Sequence, residues 1–248
     1  DLLLTYFEKL RDKDIGGILE LINEIEDSGK NLPVFAKDIS RHSRDLLVCD
    51  DSILVDMEKQ RIIFDVLKRE LRLDSTQFKV FYQPIYSIQE DKLVYMEALA
   101  RLECPEFGNV SPMEFIAVAE RKGLIEKLGD VVLEKVCKFI SENKNIVNAV
   151  SVNFSVYQIS SPHIADKILK LIEKYKILPS NIIIEITESV FIENFAIINK
   201  NIEALTSAGV KFYLDDFGTG YSNLTNVVTL PFSTVKMDRS LVLMMEKN

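Results

Sequence analysis

The sequence has no long apolar run; its longest, Phe115–Ala119 and Leu241–Met245, are five residues each. A helix that spans a membrane needs about 20, so no span is expected in this stretch. Cysteine is scarce. Cys49, Cys104 and Cys137 are odd in number, far apart, and lack the CxxC spacing of zinc or redox sites. They read as reduced thiols of a cytosolic protein. The two histidines, His42 and His163, lie far apart in polar surroundings, which argues against a His-based nucleophilic site. Basic charge is in deficit, with 30 Lys and Arg against 38 Asp and Glu and a net charge of −8. Phosphate backbones demand a basic surface, so long DNA or RNA is excluded as the main partner. A small anion held through metal ions is not. Glycine (9) and proline (7) are few and 47% of residues are hydrophobic, which excludes a collagen-like repeat and points away from disorder.

What the sequence does contain is alternation. Residues 1–55 are mainly helical in pattern, with apolar residues at helical spacing over Leu2–Leu10 and Ile15–Ile25 and a polar, irregular stretch from Pro33 to Asp51. Met57–Leu71 reads as an amphipathic helix. Beyond Asp74 strands and helices take turns. Strands are predicted at Lys79–Tyr86, Lys92–Ala98, Val147–Phe154, Ile182–Thr187, Val210–Leu214 and Ser233–Met237. Helices are predicted after the Ser111–Glu114 capping box, over Ile125–Ser141, after Ser161-Pro162, over Glu193–Ala208 and over Ser222–Val228. Such alternation predicts an α/β fold with a parallel sheet and helical crossovers.

Four of these strands close on a residue that a buried strand would not choose for itself. Glu97 follows Leu93–Met96, Asn153 follows Val150–Val152, Glu185 follows Ile182–Ile184 and Asp215 follows Lys211–Leu214. A fifth, Thr234-Val235, closes on Lys236. Singly each has a plain reading: Glu185 or Asp215 as a helix cap or surface carboxylate, Asn153 as an Asx-turn, Lys236 as a solvated lysine. Jointly they differ. In a (β/α) barrel the C-terminal strand ends share one mouth, where three carboxylates and an amide would converge and need a cation. All are hard oxygen donors, which selects magnesium or manganese over zinc. Asp216 is placed to help hold a second ion. Asp216-Phe217-Gly218 stands without the Gly-rich loop or HRD of a kinase, and no P-loop spacing occurs.

These residues form a pattern. Glu97-Ala98-Leu99 with Arg101 resembles the signature of EAL domains, bacterial phosphodiesterases that linearise cyclic di-GMP. Tyr82-Gln83-Pro84-Ile85, Ser111–Ile116 with Ala119-Glu120, Val152–Ser155 with Gln158, Glu185–Ser189, the run Leu214–Ser222 and Lys236–Ser240 resemble the family's further segments, in order, over about Phe78 to Val242. The resemblance implies Glu97, Asn153, Glu185 and Asp215 as metal ligands, with Asp216 serving the second of two Mg2+ or Mn2+ ions. It implies Lys236 at the attacking water, either orienting it or accepting its proton after the nearby metals lower its own pKa. Glu188 would steady the loop Asp215–Gly220, itself implied as a homodimer contact. Arg101 would grip a substrate phosphate, and Gln83 and Asp238 are further ligand contacts.

The implied fold is a TIM-like barrel with an antiparallel first strand. The family pattern runs on through two more strands after Lys236–Ser240, so the expectation is a barrel cut after six of eight, its second metal site one ligand short. Residues 56–248 are assigned to this domain. Residues 1–55 fit the tail of a GGDEF-type cyclase domain, a frequent neighbour, although no G-G-[DE]-E-F occurs to support cyclase activity. The functional expectation is metal-dependent hydrolysis of cyclic di-GMP to linear pGpG in a cytoplasmic domain, its parent's membrane attachment left open. Two alternatives stand beside it: a catalytically inactive cyclic di-GMP receptor or regulatory scaffold, and an unrelated barrel enzyme of enolase type.

Overall fold

Ile182-Ile183-Ile184 has no polar alternation, and a strand of that kind must be covered on both faces. It is. In a computed structural model of the chain, which describes residues 5, 6, 9, 14–27, 52–187, 195–218, 230–239, 241 and 243, all three isoleucines are at most 1% exposed.

The chain divides into two compact units, Asp1–Asp65 and Val66–Asn248. In the first, the described structure is helical: α1, Ile15–Asp27, and the opening turns of α2, Ser52–Glu70. The predicted irregular stretch Pro33–Asp51 and Cys49 lie outside the described residues.

The second unit holds a sheet of seven strands among the described residues: β1 (Phe78–Ser87), β2 (Lys92–Cys104), β3 (Gly108–Val110), β4 (Val150–Asn153), β5 (Ile182–Thr187), β6 (Lys211–Phe217) and β7 (Phe232–Met237). The order is β1-β2-β4-β5-β6-β7, with β3 paired to β2. From β2 to β7 every main neighbour is parallel, and β1 is antiparallel, as the resemblance implies. Six strands therefore make the main path. It has two ends, β1 and β7, so the described sheet is open, not a closed barrel.

The crossovers are α3 (Pro112–Arg121), α4 (Ile125–Glu142), the short α5 (Val156–Ile159), α6 (Ile164–Tyr175) and α7 (Phe195–Ala208). α3 starts where the capping pattern placed it, with the Ser111 N–H donating to Glu114 Oε2 at 3.4 Å. α4 buries Ile125, Leu128, Val132, Leu133, Val136 and Ile140, the three-and-four spacing of one apolar stripe. Val150, Val152, Ile182, Ile184, Ile186, Phe212 and Leu214, at most 2% exposed, form the sheet face turned to these helices. Each such aliphatic side chain contributes roughly 1.5–3 kcal/mol by leaving water.

Several predicted boundaries shift. β2 runs six residues past Ala98, because Leu99–Leu102 pair with Phe78–Phe81 and a hairpin to β3 turns at Gly108, with φ +69°. β6 continues through Asp215 to Phe217 across an irregular register with β7. β4 keeps only Val150–Asn153. The turn after it is used for α5, and the helix expected from Ser161-Pro162 begins at Ile164. The predicted helix Ser222–Val228 lies outside the described residues. Cys104 and Cys137 are buried free thiols, and no described helix is long and apolar enough to cross a membrane.

Candidate active site

Strand periodicity builds the site. Side chains two apart share a sheet face, and directly paired residues share it across strands. Glu97 is paired with Gln83 on β1 and Ser151 on β4; Asn153 with Glu185 on β5; Thr187 with Asp215 on β6. Lys236 stands two residues after Thr234, the partner of Tyr213. One face therefore carries Gln83, Glu97, Asn153, Glu185, Asp215 and Lys236.

The sheet curls to bring them together. β2 and β7 are four strand spacings apart, about 19 Å if flat, yet Lys236 Nζ lies 3.4 Å from Glu97 Oε2. The same ammonium donates to Glu185 Oε2 at 2.7 Å and lies 3.2 Å from Asp215 Oδ1. Asn153 closes the group by donating Nδ2 to Glu97 Oε1 at 3.1 Å, which leaves its amide oxygen as a donor atom. Of the five residues that the strand ends singled out, all five meet.

Deeper on this face lie Tyr95, Ala149, Ile183 and Tyr213, an apolar floor with the tyrosine rings 5.5 Å apart, edge to face. Burial pushes the Tyr95 phenol up to about 12, aided by the Glu185 charge. Strand readings passed over this floor, though its signal was present: Tyr95 and Tyr213 stand two residues before Glu97 and Asp215. They also passed over Ser151, fully buried, whose Oγ has no hydrogen-bond partner.

The electrostatics are those of a site short of positive charge. Glu185 is fully buried, and its Oε1 has no hydrogen-bond partner. Burial raises its pKa, the Lys236 hydrogen bond opposes that, and Glu97 and Asp215 add to the rise. Burial likewise raises Asp216, with help from Asp215 and Asp238. For Lys236 burial works downward, but the Glu185 hydrogen bond and the three carboxylates carry it well above the ordinary lysine value. In this arrangement Lys236 stands as a cation among the three carboxylates.

The donor set and the orphaned Glu185 oxygen fit a hard divalent ion. As placed, the carboxylates close on the lysine, and among the described residues no three or more His, Cys, Asp or Glu are arranged as a metal cage. Glu97, Asn153, Glu185 and Asp215 are the residues that could hold one.

The remaining expected residues stand around this group. Asp216 takes φ +53° in the irregular end of β6. Gly218 follows with φ +104°, which favours glycine, and a Cβ there would lie 2.0 Å from Leu241 Cδ1 and displace that side chain. Asp238 follows β7, its N–H donating to Phe217 O at 3.1 Å. Arg101 is four residues beyond Glu97 on β2, about 13 Å along the strand; its guanidinium lies over Phe81 at 5.9 Å, and Nη1 donates to Ala100 O. Arg101 has no ion pair to the carboxylate group among the described residues. Glu188 and residues 219 and 220 of the expected loop lie outside them. A groove of about 460 Å³ opens beside Asn153 and Thr187 on the helical side, lined also by Ile116, Glu120, Tyr157 and Gln158.

Residues 66–248 match the sequence profile of the EAL domain. The chain belongs to the EAL domain family. Against curated proteins it is 35% identical over 190 residues to oxygen sensor protein DosP of Escherichia coli K12, covering 75% of this chain and 24% of DosP. It is 33% identical over 172 residues to cyclic di-GMP phosphodiesterase PdeR of the same organism, covering 68% of this chain and 26% of PdeR. The chain thus spans about a quarter of the length of these relatives. Among solved EAL structures, the PaMucR phosphodiesterase c-di-GMP complex aligns with a TM-score of 0.67 at 29% identity, covering 75% of this chain and 76% of that one. The cyclic-di-GMP-bound form of EAL enzyme Bd1971 aligns at 0.71 and 25% identity, covering 87% and 58%. The fold is thus that of EAL domains, TIM-like in its relatives and open in the described sheet of this chain.

Proposed function

We propose that the full-length protein hydrolyses a phosphodiester bond of cyclic di-GMP, giving linear pGpG. The observation that carries this is the meeting of Glu97, Asn153, Glu185 and Asp215 at the ends of four neighbouring strands in an EAL domain. Its relatives include named cyclic di-GMP phosphodiesterases, and the aligned PaMucR structure is a c-di-GMP complex.

In this reading Glu97, Asn153, Glu185 and Asp215 hold Mg2+ or Mn2+, and Asp215 with Asp216 serves a second ion. Such ions supply a lowered pKa to bound water and neutralise charge on phosphoryl oxygens. The chain does the rest. Lys236, within reach of all three carboxylates, would orient the attacking water or accept its proton once the ions lower its own pKa. Arg101, displaced along β2, suits a phosphate of the extended dinucleotide. Gln83 and Asp238 flank the ligand, and Glu188 steadies the Asp215–Gly220 loop, through which two copies pair. The domain works in the cytoplasm.

The test is product formation by the full-length protein with Mg2+ or Mn2+, followed by chromatography of pGpG. Glu97→Ala should cut the rate at least roughly 100-fold, and retention of the wild-type rate refutes the assignment. A receptor without turnover predicts cyclic di-GMP binding with no pGpG.

A further inference from the structure

Gly129 sits in the interior of α4, where glycine costs roughly 1 kcal/mol of helix stability relative to alanine. It is buried against Gln158 of α5: a Cβ on residue 129 would lie 1.8 Å from Gln158 Nε2 and 3.1 Å from its carboxamide carbon. Gln158 is itself only 5% exposed, and its Oε1 accepts the N–H of Ser155 at 2.8 Å. Ser155 is two residues past Asn153. Between them the Phe154 N–H donates to the Glu185 carbonyl at 2.8 Å. Residues 153–155 are therefore pinned on one side to β5 and on the other to Gln158, at the point where Asn153 reaches Glu97.

We infer that Gln158, seated in the notch that Gly129 leaves in α4, is a positioning residue for Asn153 and through it for the ion-binding group. The inference rests on the metal reading above and deepens it. Gln158 touches no reacting atom. A cap that served α5 alone would need only an acceptor at residue 158 and would place no demand on residue 129; here a buried helix position has given up its side chain to admit the carboxamide. A partner that orients a metal ligand without binding the metal typically changes affinity 10–100-fold.

The experiment is Mn2+ titration of the full-length protein, bound ion read by electron paramagnetic resonance, with melting temperature alongside. Gln158→Met removes the acceptor at similar volume and should weaken Mn2+ binding roughly 10-fold. Gln158→Glu keeps the acceptor in the usual capping-box form and should hold the wild-type affinity. Gly129→Ala should weaken binding and lower the melting temperature in the wild-type background. In the Gln158→Ala background, with the clash gone, it should raise the melting temperature and leave Mn2+ affinity unchanged, a non-additivity that neighbours alone show. Wild-type protein that binds no Mn2+ overturns the metal reading itself. Wild-type binding with equal affinity in Gln158→Met, or additive effects of the two substitutions, overturns the positioning role alone.

Discussion

Two levels of one sheet face, two residues or about 7 Å apart along β2, β5 and β6, do opposite things. The lower rung, Tyr95, Ala149, Ile183 and Tyr213, is apolar and buried. The upper, Glu97, Asn153, Glu185 and Asp215 with Lys236 from the edge strand, is crowded with charge, and Glu185 in it is as buried as anything below. Backbone, strands and neighbours are the same. The two-residue period of the strand turns a core into a site in one step. The lower rung can be built from any well-packed side chains; the upper one is tolerable only because an opposite charge stands within 3.4 Å of each of the three carboxylates.

Removing that charge should give the largest effect. Lys236→Met leaves Glu97, Glu185 and Asp215 facing one another, and stripping one partner from a buried pair costs about 3–5 kcal/mol. The loss should depend on pH. Glu185 is raised even with the lysine present, and a carboxyl whose folded pKa exceeds its unfolded value, about 4.3, loses stability as pH rises through the interval between them. The variant should therefore melt well below wild type at pH 7.5 and recover on acidification to pH 5. A difference in melting temperature that is the same at both would show that the upper rung is not held by charge.

The lower rung should break differently. Ile183→Ala removes a side chain 1% exposed and should cost about 2–4 kcal/mol, with no such recovery at low pH. Amide hydrogen exchange across β5 would register it as faster opening, while Mn2+ affinity of the folded molecules stays within twofold. Loss of Mn2+ binding on this substitution would mean that the two rungs are not separable.

How much of this was legible in the sequence follows from the same period. Glu97, Asn153, Glu185, Asp215 and Lys236 each end an apolar run, so the break in pattern marked them, and the parallel sheet with helical crossovers needed only the alternation of strands with helices. The antiparallel β1 and the path of six strands came from the family resemblance. Tyr95 and Tyr213 were hidden because an aromatic residue inside a strand reads as ordinary core whatever lies above it. Gly129 was hidden for a stronger reason. A glycine within a helical pattern looks like a weak helix position until the partner occupying its space, Gln158, is known, and that contact spans 29 residues of chain. Positions such as Asp216 and Gly218, with φ of +53° and +104°, record a bend at the end of β6 that no periodicity encodes.

The smallest effect should come from the same chemistry placed outside. Lys167 and Asp130 join α6 to α4 at 2.9 Å, a distance comparable to that between Lys236 and Glu185, but both side chains are more than 40% exposed. Water screens such a pair, and holding two long side chains in register costs entropy, so it contributes under about 1 kcal/mol. Lys167→Ala should lower the melting temperature by no more than about 2–4 °C, and roughly 0.5 M salt should erase most of the difference, since the Debye length then falls to a few ångströms. Lys236→Met should keep most of its deficit under the same salt, because Glu185 is beyond the reach of mobile ions. If both deficits shrank equally, burial would not be what distinguishes the two lysines, and the contrast between the rungs would reduce to a count of charges.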